Sequence, residues 1–273
     1  MQDKRRIIDA HLHFVKDVYF DEIAQAAGHE NNTAHLQKEY ARLGIVAGVV
    51  MSNGPLEKEH HHYPAPLRYC IGLDRGTTIA NLERQAALVE ENLKQENCVG
   101  IKFYPGYNHF YVYDEILTPF YELAEQYDKP IAIHTGLTAS TDGLLAFSHP
   151  LTLDRAAVHW PKVRIVMCHF GNPWLADAAA VIEKNPNVAV DLSGLLERKI
   201  PSMSTFVARK HGYMQMLTDW LEYLDVYDRV MFGTDWPLAN LEDYIDFTER
   251  IVPAREQDKV FFQSANTIYG LGL

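Results

Sequence analysis

The stretch Ile7-Ile8-Asp9-Ala10-His11-Leu12-His13 is a short apolar run that ends in two histidines. A run of this length and isoleucine content is typical of a buried β-strand. Where a dinucleotide-binding fold would carry a glycine-rich turn, this chain has Ala10-His11-Leu12-His13. Residues two apart on a strand point to the same side. His11 and His13 can therefore present two imidazoles to one metal ion.

Further apolar runs follow the first, separated by longer amphipathic stretches, as in repeated strand–helix units. The predicted strands are residues 7–13, 45–51, 69–73, 98–104, 130–135, 163–169, 187–192 and 229–234. The predicted helices are residues 33–43, 77–95, 114–127, 151–159, 174–183, 211–224 and 241–251. This alternation over 273 residues predicts one α/β domain, residues 1–273, folded as a (β/α)8 TIM barrel. A doubly wound open sheet is the competing fold, but it usually has fewer strands in one domain.

Composition limits the classes of function. The chain has 25 Lys and Arg against 36 Asp and Glu, a formal net charge of −11. An acidic protein of this kind is not expected to bind nucleic acid or an anionic membrane. Cys70, Cys98 and Cys168 stand far apart, which argues against a disulfide framework or a thiolate zinc site. The sequence shows no signal peptide or apolar span, so a cytoplasmic protein is expected.

Ionisable side chains stand at the carboxyl ends of five of the predicted strands. They are His11 and His13, Lys102, His134, His169 and Asp235. A barrel brings these strand ends together on one face, where its chemistry lies. Imidazole suits zinc and similar cations, and a carboxylate completes a mixed nitrogen and oxygen set. Two purely structural alternatives need no metal. The strand-end histidines could simply be hydrogen-bonded to their neighbours, and Asp235 could cap the following segment.

The chain resembles the amidohydrolase superfamily, in particular its amidohydrolase-related (amidohydrolase 2) group of TIM-barrel hydrolases and decarboxylases. The motifs that carry this resemblance are Asp-Ala-His-Leu-His at 9–13, Gly-Ile-Lys-Phe-Tyr-Pro at 100–105, Ile-His-Thr-Gly at 133–136, Cys-His-Phe-Gly at 168–171, Gly-Thr-Asp-Trp-Pro at 233–237 and Ser-Ala-Asn-Thr-Ile-Tyr-Gly-Leu at 264–271. They span nearly the whole chain. Together they indicate the superfamily but no particular substrate.

The resemblance implies roles for the strand-end residues. His11, His13 and His134 would bind the metal, and Asp235 would bind it and accept a proton from its water. His169 would be a catalytic residue or, in a binuclear site, a ligand of the second metal. Bound Zn²⁺ lowers the pKa of its water to about 7, which suits this chemistry near neutral pH. Zn²⁺ or another divalent cation is expected, with one ion favoured over two.

Lys102 has two possible roles under the same resemblance. Carboxylated, it would bridge two metal ions; uncarboxylated, its ammonium group could hold a substrate carboxylate. Tyr104, Tyr107 and Arg198 follow strand ends and could contact substrate, although such positions are more often ordinary loop residues. Cys168 is expected to be a packed thiol that points away from the side chain of His169.

The expected function is metal-dependent hydrolysis of an amide, lactone or ester bond in a small substrate, possibly a carboxylate. One alternative keeps the same metal site for non-oxidative decarboxylation of a small carboxylic acid, with His169 as acid or base. A second alternative is a non-catalytic barrel that binds a metabolite. Specificity is expected from the loops at 14–32, 53–66, 136–149 and 194–210, and a homo-oligomer is possible.

Overall fold

A computed structural model describes residues 5–73 and 81–273. In these residues eight strands pair side by side, each parallel to the next, in the order of the sequence. They are β1 (Ile7–Leu12), β2 (Ile45–Met51), β3 (Leu67–Leu73), β4 (Cys98–Phe103), β5 (Ile131–Ile133), β6 (Ile165–Met167), β7 (Val188–Asp191) and β8 (Val230–Met231). The last strand returns to the first through backbone hydrogen bonds from Ala10 N to Phe232 O (2.9 Å) and from His13 N to Trp236 O (2.7 Å). This arrangement confirms the predicted (β/α)8 barrel.

Helices alternate with these strands, and most of them lie around the outside of the barrel. They are α1 (Val18–Ala26), α2 (Thr33–Leu43), α3 (Leu82–Leu93), α4 (Thr118–Gln126), α5 (Leu145–Ser148), α6 (Thr152–His159), α7 (Leu175–Lys184), α8 (Met203–Leu224), α9 (Leu241–Ile251) and α10 (Ser264–Ile268). The predicted helices at 33–43 and 241–251 have the observed bounds. The helix predicted at 77–95 is observed as α3, and residues 77–80 of that prediction lie outside the described part of the chain.

The short helices α5 and α10 were not predicted, and two longer helices, α1 and α8, also differ from the prediction. Helix α1 lies within the segment 14–32 that was expected to be a loop, and the carboxylate of Asp17 caps it by accepting the N–H of Tyr19. Helix α8 begins at Met203 rather than at residue 211, because Ser202 accepts the N–H of Thr205 and starts the helix earlier. Both corrections place helical residues at the rim of the barrel, where loops were expected.

The barrel has an apolar interior that is separate from the layer between strands and helices. Its buried side chains include Ile8 and Ala10 of β1, Val166 of β6 and, from α10, Ile268. Helix α10 lies at the amino end of the barrel, since Ser264 Oγ donates to the carbonyl of Tyr227, just before β8. Helix α10 therefore closes the amino end, and the carboxyl end is left for polar groups.

A bulge in β1 sets the direction of its histidines. Asp9 pairs with Gly48 and Leu12 pairs with Val50, so β1 uses one more residue than β2 over this stretch. Ala10 faces the interior, and without the bulge His11 would face outward. Instead its side chain reaches the charged groups at the carboxyl end of the barrel. His11 and His13 remain two residues apart and point to the same side of the strand. The bulge turns that side toward the interior of the barrel.

Candidate metal centre and active site

His11 lies fully buried at the end of β1. Its Nδ1 is 2.9 Å from Oδ2 of Asp191, at the end of β7, and this carboxylate can only accept. Nδ1 therefore carries the proton, and Nε2 is left with a lone pair. Nε2 forms no hydrogen bond with any described residue and lies 3.5 Å from Oδ1 of Asp235. The side chain thus presents its metal-binding nitrogen to the same place as the aspartate.

His13 is arranged in the same way by different partners. Its Nδ1 is 2.8 Å from Oδ1 of Asn53 and 3.1 Å from the carbonyl oxygen of Met51. With Nδ1 as the donor, Nε2 carries the lone pair and lies 3.3 Å from Oδ1 of Asp235. Two lone-pair nitrogens and a carboxylate oxygen therefore face one another, an arrangement that a cation would stabilise.

Asp235 follows β8 in the left-handed region of the backbone, with φ of 56°. Its N–H donates to the carbonyl of His11 at 2.8 Å, which fixes the end of β8 to the end of β1. Burial would raise the pKa of its carboxyl group, but the neighbouring imidazoles of His13 and His11 lower it well below the usual range. Asn240 caps the following helix, α9. The carboxylate of Asp235 is thus free of that capping role.

His134 and His169 follow β5 and β6 and contact each other. Nε2 of His169 is 3.1 Å from Nδ1 of His134, and Nδ1 of His169 is 2.9 Å from Oγ of Ser193. The backbone of His169 is left-handed, with φ of 64°. Gly194 packs against this ring: a Cβ at that position would lie 2.7 Å from Nδ1 of His169. Any side chain at position 194 would therefore displace the imidazole.

Hydrogen bonds run in series from Asp191 through Ser193 and His169 to His134. The donor in each of them follows from the carboxylate of Asp191, which can only accept. Ser193 Oγ lies 2.5 Å from Oδ1 of Asp191 and donates to it, because an ionised carboxylate has only acceptors. Ser193 can then only accept from Nδ1–H of His169, whose Nε2 in turn accepts from Nδ1–H of His134. The Nε2 of His134 is left with a lone pair, and it is buried without a hydrogen bond to any described residue.

The residues present fit a divalent metal ion. Nε2 of His11, Nε2 of His134 and Oδ1 of Asp235 are buried atoms that lack a hydrogen-bond partner in the described chain. Ligand atoms of His11, His13 and Asp235 all lie within 4.8 Å of one another. Three neutral imidazoles and a carboxylate form a donor set that suits zinc and similar ions. A second buried group of His11, His169 and Asp191 is already joined by hydrogen bonds, which occupy the ligand atoms it would offer.

The environment of His11 and His134 keeps these two imidazoles neutral. Burial lowers the pKa of His11 to about 4, although the nearby Asp191 opposes this shift. Burial also lowers the pKa of His134 well below its usual value, and the neighbouring His169 and Lys102 act in the same direction. Neutral imidazole is the form that binds metals.

Lys102 lies fully buried on β4, next to this group. Its Nζ is 2.8 Å from Sγ of Cys168 and 5.2 Å from the ring centre of Tyr104. Among the described residues no carboxylate forms an ion pair with Lys102. The thiol of Cys168 belongs to the interior of the barrel, whereas the ring of His169 faces the cleft, as expected from their neighbouring positions.

A cleft of about 850 Å³ opens over these groups. Its floor includes the strand-end residues, and its walls come mainly from α1, the loop after β5 and the start of α8. The lining residues from these walls are Tyr19, Phe20, Ile23, Leu137, Thr138, Ala139, Ser140, Lys210 and Tyr213. This volume suits a small-molecule ligand.

The predicted substrate contacts differ in position. Tyr104 and Tyr107 line the cleft, and the hydroxyl of Tyr104 is 3.0 Å from the carbonyl oxygens of both Met51 and Ser52. Arg198 is exposed and lies outside the described lining of the cleft. Its backbone N–H donates to the carbonyl of Leu238 at 2.7 Å.

Asp191 and Ser193 were missed by the sequence analysis. Asp191 ends β7, so the rule that selected the other strand-end residues also applies to it. The segment Val-Asp-Leu-Ser lacks a histidine or a lysine, and its polar residues gave no signal of metal binding. Asn53, which fixes the ring of His13, was missed for the same reason.

Comparison with known proteins shows the family of the chain. The family model described as Amidohydrolase matches residues 8–271. The chain belongs to the amidohydrolase family, whose superfamily consists of metal-dependent enzymes. A search of curated proteins finds no match. No helix in the described residues is both long and apolar enough to cross a membrane.

Solved structures share the fold over almost the whole chain. A probable 2-pyrone-4,6-dicarboxylic acid hydrolase from Acinetobacter baumannii, with citric acid bound, is 18% identical with a TM-score of 0.62, covering 97% of this chain and 99% of that one. A 2,6-dihydroxybenzoate decarboxylase complexed with 2,6-dihydroxybenzoate is 16% identical, with a TM-score of 0.67 and full coverage of both chains (100% each). A 5-carboxyvanillate decarboxylase from Novosphingobium aromaticivorans, complexed with manganese and a nitrobenzoic acid, is 14% identical with a TM-score of 0.66, covering 97% and 96%. At these identities the similarity extends to the fold alone.

Proposed function

We propose that this protein is a hydrolase that uses one divalent metal ion to add water across an amide, lactone or ester bond of a small carboxylate. The observation that carries the proposal is the convergence of the lone-pair nitrogens of His11 and His13 on Oδ1 of Asp235. His134, whose buried Nε2 has no hydrogen-bond partner among the described residues, is proposed to complete the ligand set, and Zn²⁺ is the ion proposed. A divalent ion held there acts as a Lewis acid, which lowers the pKa of a coordinated water and polarises a substrate oxygen.

The roles of the protein side chains follow from their positions. Asp235 is an acceptor whose Oδ1 receives no hydrogen bond from a described residue, so it can take a proton from the attacking water and deliver it to the leaving group. His13 holds its Nε2 3.3 Å from Oδ1 of Asp235, and His134 lines the same cleft with an Nε2 that has no hydrogen-bond partner among the described residues. The aromatic and apolar residues of the cleft walls offer packing surface to the rest of the substrate.

The hydrogen bonds of the two ring nitrogens of His169 favour hydrolysis over decarboxylation. Decarboxylation needs a proton donor for the carbon that loses CO₂. Both ring nitrogens of His169 are already used, Nδ1 as a donor to Ser193 and Nε2 as an acceptor from His134. The ring thus directs no N–H toward the cleft. The same hydrogen bonds leave His169 no nitrogen for a second metal, which favours one ion.

Lys102 supports a carboxylate substrate. A buried ammonium group is costly unless an anion compensates it, and Lys102 has no carboxylate partner within the described residues. Burial raises the pKa of the Cys168 thiol well above its usual value, so the thiol is neutral at pH 7 and does not supply the missing charge. Lys102 lines the cleft. A substrate carboxylate is the natural partner for its Nζ, in place of a bridging role between two metals.

Metal analysis and product analysis test the reaction. Purified protein is expected to contain about one equivalent of Zn²⁺ or to gain activity and thermal stability when Zn²⁺ or Mn²⁺ is added. Turnover of a panel of lactones, esters and N-acyl amino acids in ¹⁸O-water is expected to place ¹⁸O in the product. Release of CO₂ without incorporation of water would indicate the decarboxylase instead. Metal-dependent ligand binding without turnover would indicate a non-catalytic barrel.

Replacement of Lys102 tests the substrate class. For the metal-loaded protein we expect benzoate to bind at least about tenfold more tightly than benzamide, since only the anion pairs with Lys102. Lys102→Met should remove this preference and leave the metal content unchanged. Lys210→Met removes an exposed cation from the rim of the same cleft and is the matched control. This variant should keep the preference for benzoate over benzamide. Loss of metal in Lys102→Met would instead support the bridging role.

A further inference from the structure

The carboxylate of Asp191 connects the two sides of the candidate metal centre. Oδ2 accepts the Nδ1–H of His11 at 2.9 Å. Oδ1 accepts the Ser193 hydroxyl and also two backbone N–H groups, from His169 at 3.0 Å and from Ser193 at 3.1 Å. Asp191 is fully buried, and each of its oxygens has a defined set of donors. One carboxylate therefore acts on the histidines of both β1 and β6.

We propose that Asp191 is the positioning residue that sets the tautomers of the metal-binding histidines. It acts directly on His11, and through Ser193 and His169 it acts on His134. Along both routes the proton is held on Nδ1 and the lone pair is left on Nε2, which faces the proposed ion. This inference rests on the metal site of the proposed function, and it adds a residue and a mechanism that the strand-end ligands alone do not provide.

The physical reason for this role is the cost of the wrong tautomer. Neutral imidazole has one N–H and one lone pair, and a free imidazole in water exchanges between the two arrangements. A ligand whose other nitrogen is hydrogen-bonded to a carboxylate has its ring orientation and tautomer fixed before the metal arrives. The loss of such a partner commonly weakens metal binding by about 10- to 100-fold. Asp191 supplies this effect at a single point for two ligands.

Asp191→Asn is the decisive substitution. The side-chain oxygen of the new asparagine is expected to remain where three donors meet, on the side of Ser193, which turns the amide NH₂ toward His11. Nδ1 of His11 must then become the acceptor, and its proton moves to Nε2. We expect affinity for Zn²⁺, measured by competition with a chelating dye, to fall by about 10- to 100-fold. In metal-free protein, ¹⁵N chemical shifts should report His11 as the Nε2–H tautomer.

Asp9→Asn is a matched control. Asp9 is also a fully buried carboxylate at the same end of the molecule, and its Oδ2 is contacted by the hydroxyls of Thr234 (2.6 Å) and Tyr40 (3.1 Å). These hydroxyls can rotate to accept from the new amide. The Asp9→Asn variant should therefore bind Zn²⁺ with wild-type affinity and keep the wild-type tautomer of His11.

Ser193→Ala separates the two routes. This variant should weaken Zn²⁺ binding by about three- to tenfold, change the tautomers of His169 and His134, and leave His11 as the Nδ1–H form. If Asp191→Asn does not fold, by circular dichroism, Ser193→Ala decides the proposal. Wild-type affinity together with wild-type tautomers in the folded variants would overturn it. A wild-type protein that binds no metal would refute the proposed function, while the tautomer measurement would still test Asp191.

Discussion

The two ends of the barrel differ in the kind of group that they bury. At the amino end, Ala265, Ile268 and Tyr269 of the C-terminal segment close the interior with packed apolar surface. At the carboxyl end, His11, His134 and Asp235 bury polar atoms that have no hydrogen-bond partner among the described residues. The carboxyl end also holds His169 and Asp235 in left-handed backbone conformations. Unsatisfied polar atoms and strained backbone both cost stability, and they are concentrated where a ligand can compensate them.

This contrast indicates that the two ends of the barrel contribute different properties to the protein. The amino end contributes stability through apolar packing, whereas the carboxyl end, which holds the candidate site, gives up stability through its unsatisfied polar atoms. Substitutions at the two ends should therefore separate into two classes, one that mainly changes the free energy of unfolding and one that mainly changes metal content.

The largest effect is expected at the carboxyl end, in His11→Ala. Removing this ligand should lower bound metal from about one equivalent to less than about 0.1 and reduce hydrolysis by about a thousandfold or more. The metal-free variant should still fold, because relief of the unpaired Nε2 offsets part of the packing that is lost. Metal analysis and kinetic assays measure the two effects. His60→Ala, which removes an exposed histidine, is the control; unchanged metal uptake in His11→Ala would place the site elsewhere.

The complementary experiment removes volume from the amino end. Ile268 is 6% exposed and packs in the interior cluster. Ile268→Ala should lower the free energy of unfolding by about 2–4 kcal/mol, through lost burial and the cavity left behind. Urea denaturation measures this loss, and Leu273→Ala, at an exposed position, should show almost none. A clear loss of metal affinity in folded Ile268→Ala would show that the two ends are not separate.

A smaller effect concerns pH and a histidine at the edge of the carboxyl end. Nε2 of His29 accepts the N–H of Leu241 at 3.1 Å, its Nδ1 contacts His35, and its ring packs on Trp236. Burial, followed by the charge of His35, lowers the pKa of His29 from its ordinary value of 6.5 to about 4. The unfolded chain therefore takes up a proton first, so stability is complete above pH 6.5 and is lost as the pH falls toward 4.

His29→Phe isolates this contribution. Between pH 6.5 and 5 the wild-type protein should lose about 1 kcal/mol of stability through His29, with allowance for solvent screening, and the variant should lack this loss. Phenylalanine keeps the packing on Trp236 while removing the titrating group. The free energy of unfolding is measured in the presence of a chelator, so that release of metal does not contribute. Identical pH dependence in the two proteins would contradict the assignment.

The strand-end ligands could be predicted from sequence because each one combines a distinctive residue with a simple position. His134, His169 and Asp235 all follow the last paired residues of their strands, which is why the predicted strands 130–135, 163–169 and 229–234 extend past the observed ends. Parallel strands in a barrel place such residues on one face whatever the details of the loops. The fold and the core of the candidate site therefore follow from the pattern alone.

The remaining features depend on contacts that a linear pattern does not contain. Helix α1 has a short apolar face formed by Phe20, Ile23 and Ala24, but Val18 next to it is 72% exposed, so the periodicity of this nine-residue stretch is a weak signal in the sequence. Asp191 became significant only when its neighbours in space, His11 and Ser193, were known. Whether Arg198 reaches the cleft depended equally on the path of its loop, which pairs it with Leu238 and turns it to solvent.

The bulge in β1 places one surplus residue between Asp9 and Leu12, which pair with Gly48 and Val50. Ala10 and His11 therefore share the inner side of the strand, whereas Leu12 packs in the layer between strands and helices. Deletion of the codon for Ala10 would restore the regular alternation and leave His11 and His13 on the inner side. Deletion of the codon for Leu12 would make the two histidines adjacent and turn them to opposite sides of the strand, although neither candidate ligand is mutated.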